Sequence, residues 1–239
     1  MPEPFLSIVI PAYNEARRIE SSLEAIQGYV RSKNFAVEAI VVDDGSTDST
    51  VEVVSRRPEI RVLRNNRNRG KGFSVRHGVL KARGELILFT DADLSAPIDE
   101  ADKLLSALQS SRADAAVGSR ALKRELIGIH QPLFRDLSGR FFNLLVRAFT
   151  GLRLHDTQCG LKLFKRNSTR WAFERMCAEG FGFDPELLFL IERKGGKIVE
   201  VPVRWNNDPA TKVRFLRDST RMLFDLIAIR WRAFTGKYQ

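Results

Sequence analysis

Two aspartates separated by a single alanine, Asp91 and Asp93, follow directly after the apolar run 86–89 in the segment FTDADLSAP. Alternate residues of an extended chain point to the same side, so the two carboxylates are predicted to lie close together. Like charges at that range repel each other, and a cation between them would remove the repulsion. Oxygen ligands without nearby thiolate or imidazole favour a hard divalent cation, Mg²⁺ or Mn²⁺, completed by substrate phosphates and water. The pair therefore predicts a metal site.

Other kinds of site lack the residues that they need. The sequence contains no G-x-x-x-x-G-K-[ST] loop, and Gly70, Gly72 and Gly78 do not fit G-x-G-x-x-G. The three histidines are scattered, and Cys159 and Cys177 give neither a disulfide framework nor a zinc motif. The acidic segments are therefore the candidates for catalysis.

The elements that would position the aspartates alternate between strand-like and helix-like segments, with Asn14 predicted to cap the first helix. This alternation predicts an α/β domain with a mostly parallel central sheet flanked by helices. Ligands of such sheets bind beyond the carboxyl ends of the strands, where PAYNE, DDGSTDST and DADLS are found. The predicted strands are 5–10, 36–42, 61–63, 85–89, 113–118 and 197–204, and the predicted helices are 15–30, 48–55, 72–82, 100–110, 141–149 and 186–194.

The net charge of +10 is concentrated in residues 112–175 and 204–239, which suits phosphate-rich partners. Residues 1–212 are predicted to form the main domain, and residues 213–239 an amphipathic helical tail. The apolar stripe of this tail, flanked by arginines, would lie on a membrane surface or dock on the domain or on a second subunit. No spanning segment or secretory signal is visible, so we expect a peripheral protein at the cytoplasmic face of a membrane.

Several motifs in the same order resemble those of the family 2 glycosyltransferases of the GT-A fold: IVIPAYNE at 8–15, VVDDGSTDST at 41–50, NRGKG at 68–72 and FTDADLSAP at 89–97. DTQCGLKLF at 156–164 and GFGFDPELL at 180–188 are similar to segments of the polyprenyl-phosphate glycosyltransferases, above all the dolichyl-phosphate β-glucosyltransferases and their bacterial undecaprenyl relatives. The resemblance implies transfer of a hexose, glucose first among the candidates, from a UDP-sugar to a polyprenyl phosphate. In-line attack would invert the anomeric carbon and give a β-linked product.

The resemblance also implies roles for individual residues. Asp93 would act in catalysis through the metal that it shares with Asp91, and Asp156 would act by positioning the sugar or the acceptor. Ser95 stands where mannosyl relatives carry a glutamine that contacts the metal, and Asn206 where they carry an arginine. The residues predicted to bind the nucleotide sugar are Pro11, Tyr13, Glu15, Val42, Asp44, Lys71, Asp91, Ala92 and Lys212, and those predicted to bind the acceptor phosphate are Arg120, Arg135 and Ser138.

Three alternatives stay open at the level of sequence. The donor could be GDP-mannose, or the acceptor could be a hydroxyl of a polysaccharide or glycolipid, which would need Asp156 as a true base. A phosphate acceptor needs no strong base, because a phosphate monoester is largely dianionic at pH 7. A non-catalytic protein that binds anionic lipid or nucleic acid is disfavoured, since such a binder has no use for acidic clusters at three strand ends. We therefore expect no nucleic-acid partner.

Overall fold

The computed structural model describes residues 3–208 and 215–239, and a central sheet with helices on both faces dominates them. The strands are β1 (Leu6–Ala12), β2 (Val37–Asp43), β3 (Ile60–Arg64), β4 (Leu86–Thr90), β5 (Ala115–Ser119), β6 (Ile127–Ile129), β7 (Leu161–Lys165), β8 (Ile198–Pro202) and β9 (Trp205–Asn206). The helices are α1 (Ile19–Arg31), α2 (Thr50–Ser55), α3 (Lys71–Lys81), α4 (Ala101–Ser110), α5 (Leu133–Thr150), α6 (Arg166–Arg175), α7 (Phe183–Arg193) and α8 (Phe215–Phe234).

The central sheet has the strand order β3-β2-β1-β4-β7-β5-β8. Strands β1 to β4 pair in parallel, as do β5 and β8, whereas β7 runs antiparallel to both of its neighbours, β4 and β5. Strands β6 and β9 form a separate parallel ribbon. The predicted α/β fold with a mostly parallel sheet is therefore confirmed, and β7 is the exception within it.

Both faces of the sheet are buried, which explains why its strands read as nearly continuous apolar runs. Side chains alternate along β1, so Ile8 and Ile10 join one core cluster and Val9 joins the other. Helices α1, α2 and α4 cover the first cluster, and α3, α5, α6, α7 and α8 contribute to the second. The amphipathic patterns of these helices thus fix which face of the sheet each one covers.

Asn14 does not cap the first helix as predicted. Helix α1 begins at Ile19, and Asn14 adopts a left-handed conformation with φ of 55°. Its side-chain carbonyl accepts hydrogen bonds from the backbone N–H groups of Thr47 at 2.8 Å and Asp48 at 3.3 Å. Asparagine tolerates this conformation well, and here it joins the loop after β1 to the loop after β2.

The inner face of α8 packs on the domain, with Leu226 and Ile229 fully buried in the second core cluster. The buried carboxylate of Glu186 on α7 accepts hydrogen bonds from Arg232 at 3.2 Å and from the hydroxyl of Tyr238. The predicted boundary at 212/213 lies outside the described residues. No helix in the described part of the chain is long and apolar enough to cross a membrane.

We expect Gly78→Ala to lower the free energy of unfolding by about 1–3 kcal/mol, the usual range for overpacking a core. A Cβ at this position of α3 would lie 2.4 Å from Cγ1 of Val9 and 2.8 Å from Cγ2 of Val42. Gly28→Ala in α1 is the matched control, because nothing lies within 4 Å of its Cβ position and alanine favours helix by up to about 1 kcal/mol. The free energies of unfolding of both variants are measured in urea. Equal values for Gly78→Ala and Gly28→Ala would contradict this packing.

Candidate active site

A cavity of about 300 Å³ opens at the carboxyl end of β4. It collects side chains from the loop after β4, from the start of α3, from the residue that follows β5 and from α5. These segments are far apart in sequence, and the sheet brings them together at one edge. The predicted site residues that line the cavity are Lys71, Asp91, Asp93, Arg120, Arg135 and Ser138.

Asp91 and Asp93 form the acidic wall of the cavity. The backbone N–H of Asp91 donates to the carbonyl of Gly160 at 3.1 Å, and a Cβ on Gly160 would lie 2.0 Å from Oδ2 of Asp91. Oδ1 of Asp93 accepts the backbone N–H of Ser95 at 3.0 Å. Burial and then the charge of Asp91 raise the pKa of Asp93 above its usual range, which is the mark of a carboxylate pair that would gain from a cation.

Lys71 begins α3 and reaches this acidic wall, where its Nζ lies 2.6 Å from Oδ1 of Asp91. Burial lowers the pKa of Lys71, but the charges of Asp91 and Asp184 outweigh it and the net pKa is raised, so the ammonium stays charged. Asp44 prepares the helix start, because its carboxylate accepts the backbone N–H groups of Arg69 at 3.0 Å and Gly70 at 2.7 Å. Asp44 therefore orders the loop that delivers Lys71.

Arg120, which lines the cavity, forms a bidentate pair with Asp156. Oδ2 of Asp156 accepts from Nε of Arg120 at 2.6 Å, and Oδ1 accepts from Nη2 at 2.8 Å. Burial raises the pKa of Asp156, but the Arg120 guanidinium outweighs it and lowers the pKa to about 2. Asp156 borders an adjoining cavity of about 250 Å³ that also contacts Arg120, and it does not line the cavity of Asp91 and Asp93. An aspartate with this pKa is a poor base at neutral pH.

Arg135 and Ser138 come from the first half of α5 and face the same cavity as Arg120. Residues three apart lie on one side of a helix, which explains why both reach it. The hydroxyl of Ser138 donates to the carbonyl of Phe134 at 2.7 Å, so its lone pairs and its position are fixed by the helix itself. Two guanidinium groups and a hydroxyl in one cavity suit an anionic oxygen ligand such as a phosphate.

The other predicted donor residues lie outside this cavity. Pro11 and Val42 are partners in the register of β1 and β2, and Val42 is fully buried against Gly78. Tyr13 is exposed in the loop after β1. Two further members of this group have buried side chains: Glu15, which accepts from Nη2 of Arg18 at 2.9 Å, and Ala92, which joins the first core cluster. Lys212 lies outside the described residues. The roles of these residues in binding the nucleoside stay predictions.

Sequence reasoning missed three charged residues beside the cavity. Nη1 of Arg18 lies 3.8 Å from Oδ2 of Asp93. Asp184, at the start of α7, lines the cavity and pairs with the fully buried Lys162 at 2.5 Å. The signal for the last pair was present, because Lys162 lies within the run LKLF and a lysine that is buried in such a run needs a charged partner.

Comparison with known proteins identifies the family. Residues 7–170 match the family described as Glycosyl transferase family 2. The chain belongs to glycosyl transferase family 2. The membership predicted from the motifs is confirmed, and with it the expectation of a glycosyltransferase.

Named relatives of this family 2 glycosyltransferase match it over nearly its whole length. A dolichyl-phosphate β-glucosyltransferase of Trichomonas vaginalis is 37% identical over 97% of this chain and 73% of its own length. The dolichyl-phosphate β-glucosyltransferase of Drosophila melanogaster is 38% identical over 98% of this chain and 77% of its own length. These names agree with the prediction of glucose transfer to a polyprenyl phosphate.

A solved structure supports the predicted GT-A fold. Glucosyl-3-phosphoglycerate synthase from Mycobacterium tuberculosis, crystallised with Mn²⁺, UDP and glucosyl-3-phosphoglycerate, superposes with a TM-score of 0.69. The alignment covers 95% of this chain and 78% of that one, at 22% identity. The likeness confirms the fold of this family 2 glycosyltransferase.

We expect Asp156→Asn to lower the free energy of unfolding at pH 7 by about 2 kcal/mol, somewhat less than breaking a fully buried ion pair because Arg120 is partly exposed. The folded-state pKa of Asp156 lies below the unfolded value of about 3.9, so its stabilising contribution is present above pH 4 and is lost as the pH falls towards about 2. Urea unfolding of both proteins at pH 7, 4 and 3 should show the difference shrinking on acidification. A difference that persists unchanged at pH 3 and below would contradict the lowered pKa.

Proposed function

We propose that this family 2 glycosyltransferase transfers glucose from UDP-glucose to a polyprenyl phosphate and produces a β-linked lipid-phosphate glucose. The observation that carries the proposal is a single cavity lined both by the carboxylates Asp91 and Asp93 and by the guanidinium groups of Arg120 and Arg135. Such a cavity offers carboxylates to a metal-bound donor diphosphate and cations to an acceptor phosphate. The names of the relatives from Trichomonas vaginalis and Drosophila melanogaster support this choice of donor sugar and acceptor.

Asp91 and Asp93 are the residues that would hold a divalent cation, Mg²⁺ or Mn²⁺. Their oxygen atoms suit a hard cation, burial and then the charge of Asp91 raise the pKa of Asp93, and Gly160 leaves room for the Asp91 carboxylate. The bound ion would supply Lewis-acid stabilisation of the negative charge that develops on the departing diphosphate. Lys71 would add a second positive charge at the same wall, and the Mn²⁺–UDP complex of the mycobacterial synthase supports such a cation here.

Arg120, Arg135 and Ser138 would bind the acceptor phosphate and screen its repulsion from the donor. The phosphate oxygen is already deprotonated at neutral pH, so the reaction needs no general base. Asp156, with its lowered pKa, would keep the Arg120 guanidinium charged and oriented and would not take up a proton. An acceptor hydroxyl, by contrast, would need a base that this pair does not provide.

Helices α5 and α8 border the cavity, contact each other and also expose apolar side chains to solvent. We call these exposed side chains the α5–α8 apolar face. We propose that it rests on the cytoplasmic surface of a bilayer, so that the lipid tail of the acceptor stays in the membrane while its phosphate enters the cavity. The exposed Arg147 and Arg230 on the same helices would attract anionic lipid. The face comprises Leu133, Phe134, Leu137, Phe141 and Leu144 of α5 and Phe224, Ile227, Trp231 and Phe234 of α8.

The transfer itself is tested with purified protein, Mg²⁺ or Mn²⁺, polyprenyl phosphate and either labelled UDP-glucose or labelled GDP-mannose. We expect label to enter the lipid phase from UDP-glucose, and Asp91→Asn to reduce the rate at least about 100-fold because the diphosphate charge is no longer stabilised. Asp102→Asn on α4, outside the cavity, is the matched control and should retain the rate. Label entering only from GDP-mannose would overturn the donor, and transfer only to a hydroxyl acceptor would overturn the acceptor.

Membrane binding is tested by sedimentation with vesicles of phosphatidylcholine and phosphatidylglycerol. We expect the double variant Trp231→Ser and Phe234→Ser to bind at least about tenfold more weakly, since each buried aromatic side chain contributes about 1.5–3 kcal/mol. These side chains are 66% and 84% exposed, so their loss leaves the fold intact. Leu122→Ser, at another exposed apolar position, is the control that should bind as the wild type does. Equal binding by all three proteins would argue against the α5–α8 apolar face.

A further inference from the structure

Asp184 is a buried carboxylate that lines the cavity, and it has no part in the proposed binding of the metal or of the acceptor phosphate. It stands at the start of α7 and is only 2% exposed, yet it lines the same cavity as Asp91 and Arg120. We propose that Asp184 binds a hydroxyl group of the transferred hexose and that Lys162 positions it. This inference rests on the proposed transfer of glucose from UDP-glucose.

Lys162 fixes the orientation of this carboxylate. Its side chain is fully buried, and its Nζ donates to Oδ1 of Asp184 at 2.5 Å and to the carbonyl of Cys159 at 2.6 Å. The ring of Phe89 lies 5.5 Å from the same ammonium, so the pair is enclosed by protein. The hydrogen bond from the buried lysine therefore engages Oδ1 of Asp184. Within the described residues, Oδ2 is the oxygen left to face a ligand.

The chemistry of a carboxylate selects what can bind there. Phosphate oxygens are anionic and would be repelled by Asp184, whereas a sugar hydroxyl is a neutral donor and can give a charge-assisted hydrogen bond. Asp184 lies close enough to Lys71 and Asp91 for their charges to act on its pKa, which burial raises first and the charge of Lys162 lowers in part. Asp184 is therefore close to the predicted diphosphate site, and its own cation, Lys162, is already paired with it.

The position of Asp184 within the cavity fits the hexose. The transferred sugar must lie between the donor diphosphate, expected at Asp91 and Asp93, and the acceptor phosphate, expected at Arg120 and Arg135. Asp184 and Phe181 line the same cavity as both groups, and Asp184 is near enough to Asp91 for that charge to act on it. An aromatic ring and a carboxylate offer the apolar and polar contacts that a pyranose requires.

The test compares the affinities for UDP-glucose and UDP, measured by isothermal titration calorimetry with Mn²⁺ and without acceptor. We expect Asp184→Asn to weaken UDP-glucose binding about 10- to 100-fold, the range for a hydrogen bond to a charged group, and to leave UDP binding unchanged. Among UDP-glucose analogues that each lack one hydroxyl, the one that lacks the contacted group should bind wild type and Asp184→Asn equally. Equal weakening of UDP and UDP-glucose, or no weakening of either, would overturn the inference.

Two further variants keep the outcome interpretable. Glu186→Gln neutralises another buried carboxylate of α7 that does not line the cavity, and it should leave the affinity for both ligands unchanged. The double variant Lys162→Met and Asp184→Leu removes both buried charges together, so the fold is preserved if Asp184→Asn alone unfolds, and it should show the same selective loss. A wild-type protein that binds neither ligand would count against the proposed function itself, whereas non-selective losses count only against Asp184.

Discussion

Repulsion among carboxylates gathered at one edge of the sheet is the constraint on which the rest of the site depends. Four acidic side chains of this region pair with cations drawn from different parts of the chain, and a separate element delivers each of these four cations. The consequence is that opposite charges lie close together in and beside the cavity. The pairs are Asp91 with Lys71, Asp93 with Arg18, Asp156 with Arg120 and Asp184 with Lys162.

The antiparallel strand β7 makes this gathering possible. Because β7 runs against β4, its first residue lies opposite the last residue of β4, with Leu161 paired to Thr90. The segment that precedes β7 therefore arrives at the edge where the parallel strands end. It carries Asp156 and Gly160, and Gly160 contacts Asp91 directly. A fully parallel sheet would have placed that segment at the opposite edge, away from Asp91 and Asp93.

The sequence predicted the strand-end loops well and the partners of their charges poorly. Apolar runs such as 86–89 and the polar segments after them predict buried parallel strands and a site at their carboxyl ends, as found. Strand β7 was missed because its sequence, LKLFK, carries two lysines, one of which is buried by an ion pair with Asp184. The pairing of Arg120 with Asp156 spans 36 positions, and no local pattern encodes a contact of that range. Helix α5 was predicted only from residue 141, whereas it begins at Leu133 and exposes apolar residues along its first half.

The insertion of β7 between two earlier strands also has a consequence for the order of folding. Strands β1 to β4 can pair as soon as their own residues are available, because their crossovers are short and local. Strands β5 and β8 can join the sheet only after β7 has paired with β4, because β7 lies between β4 and β5. Pairing β7 with β4 closes a long loop, and the entropic cost of that closure is met only when residues well beyond 150 become ordered. The half of the molecule that carries Asp91 and Asp93 is therefore expected to take shape first, and the part that carries Arg120 and Asp156 to assemble last.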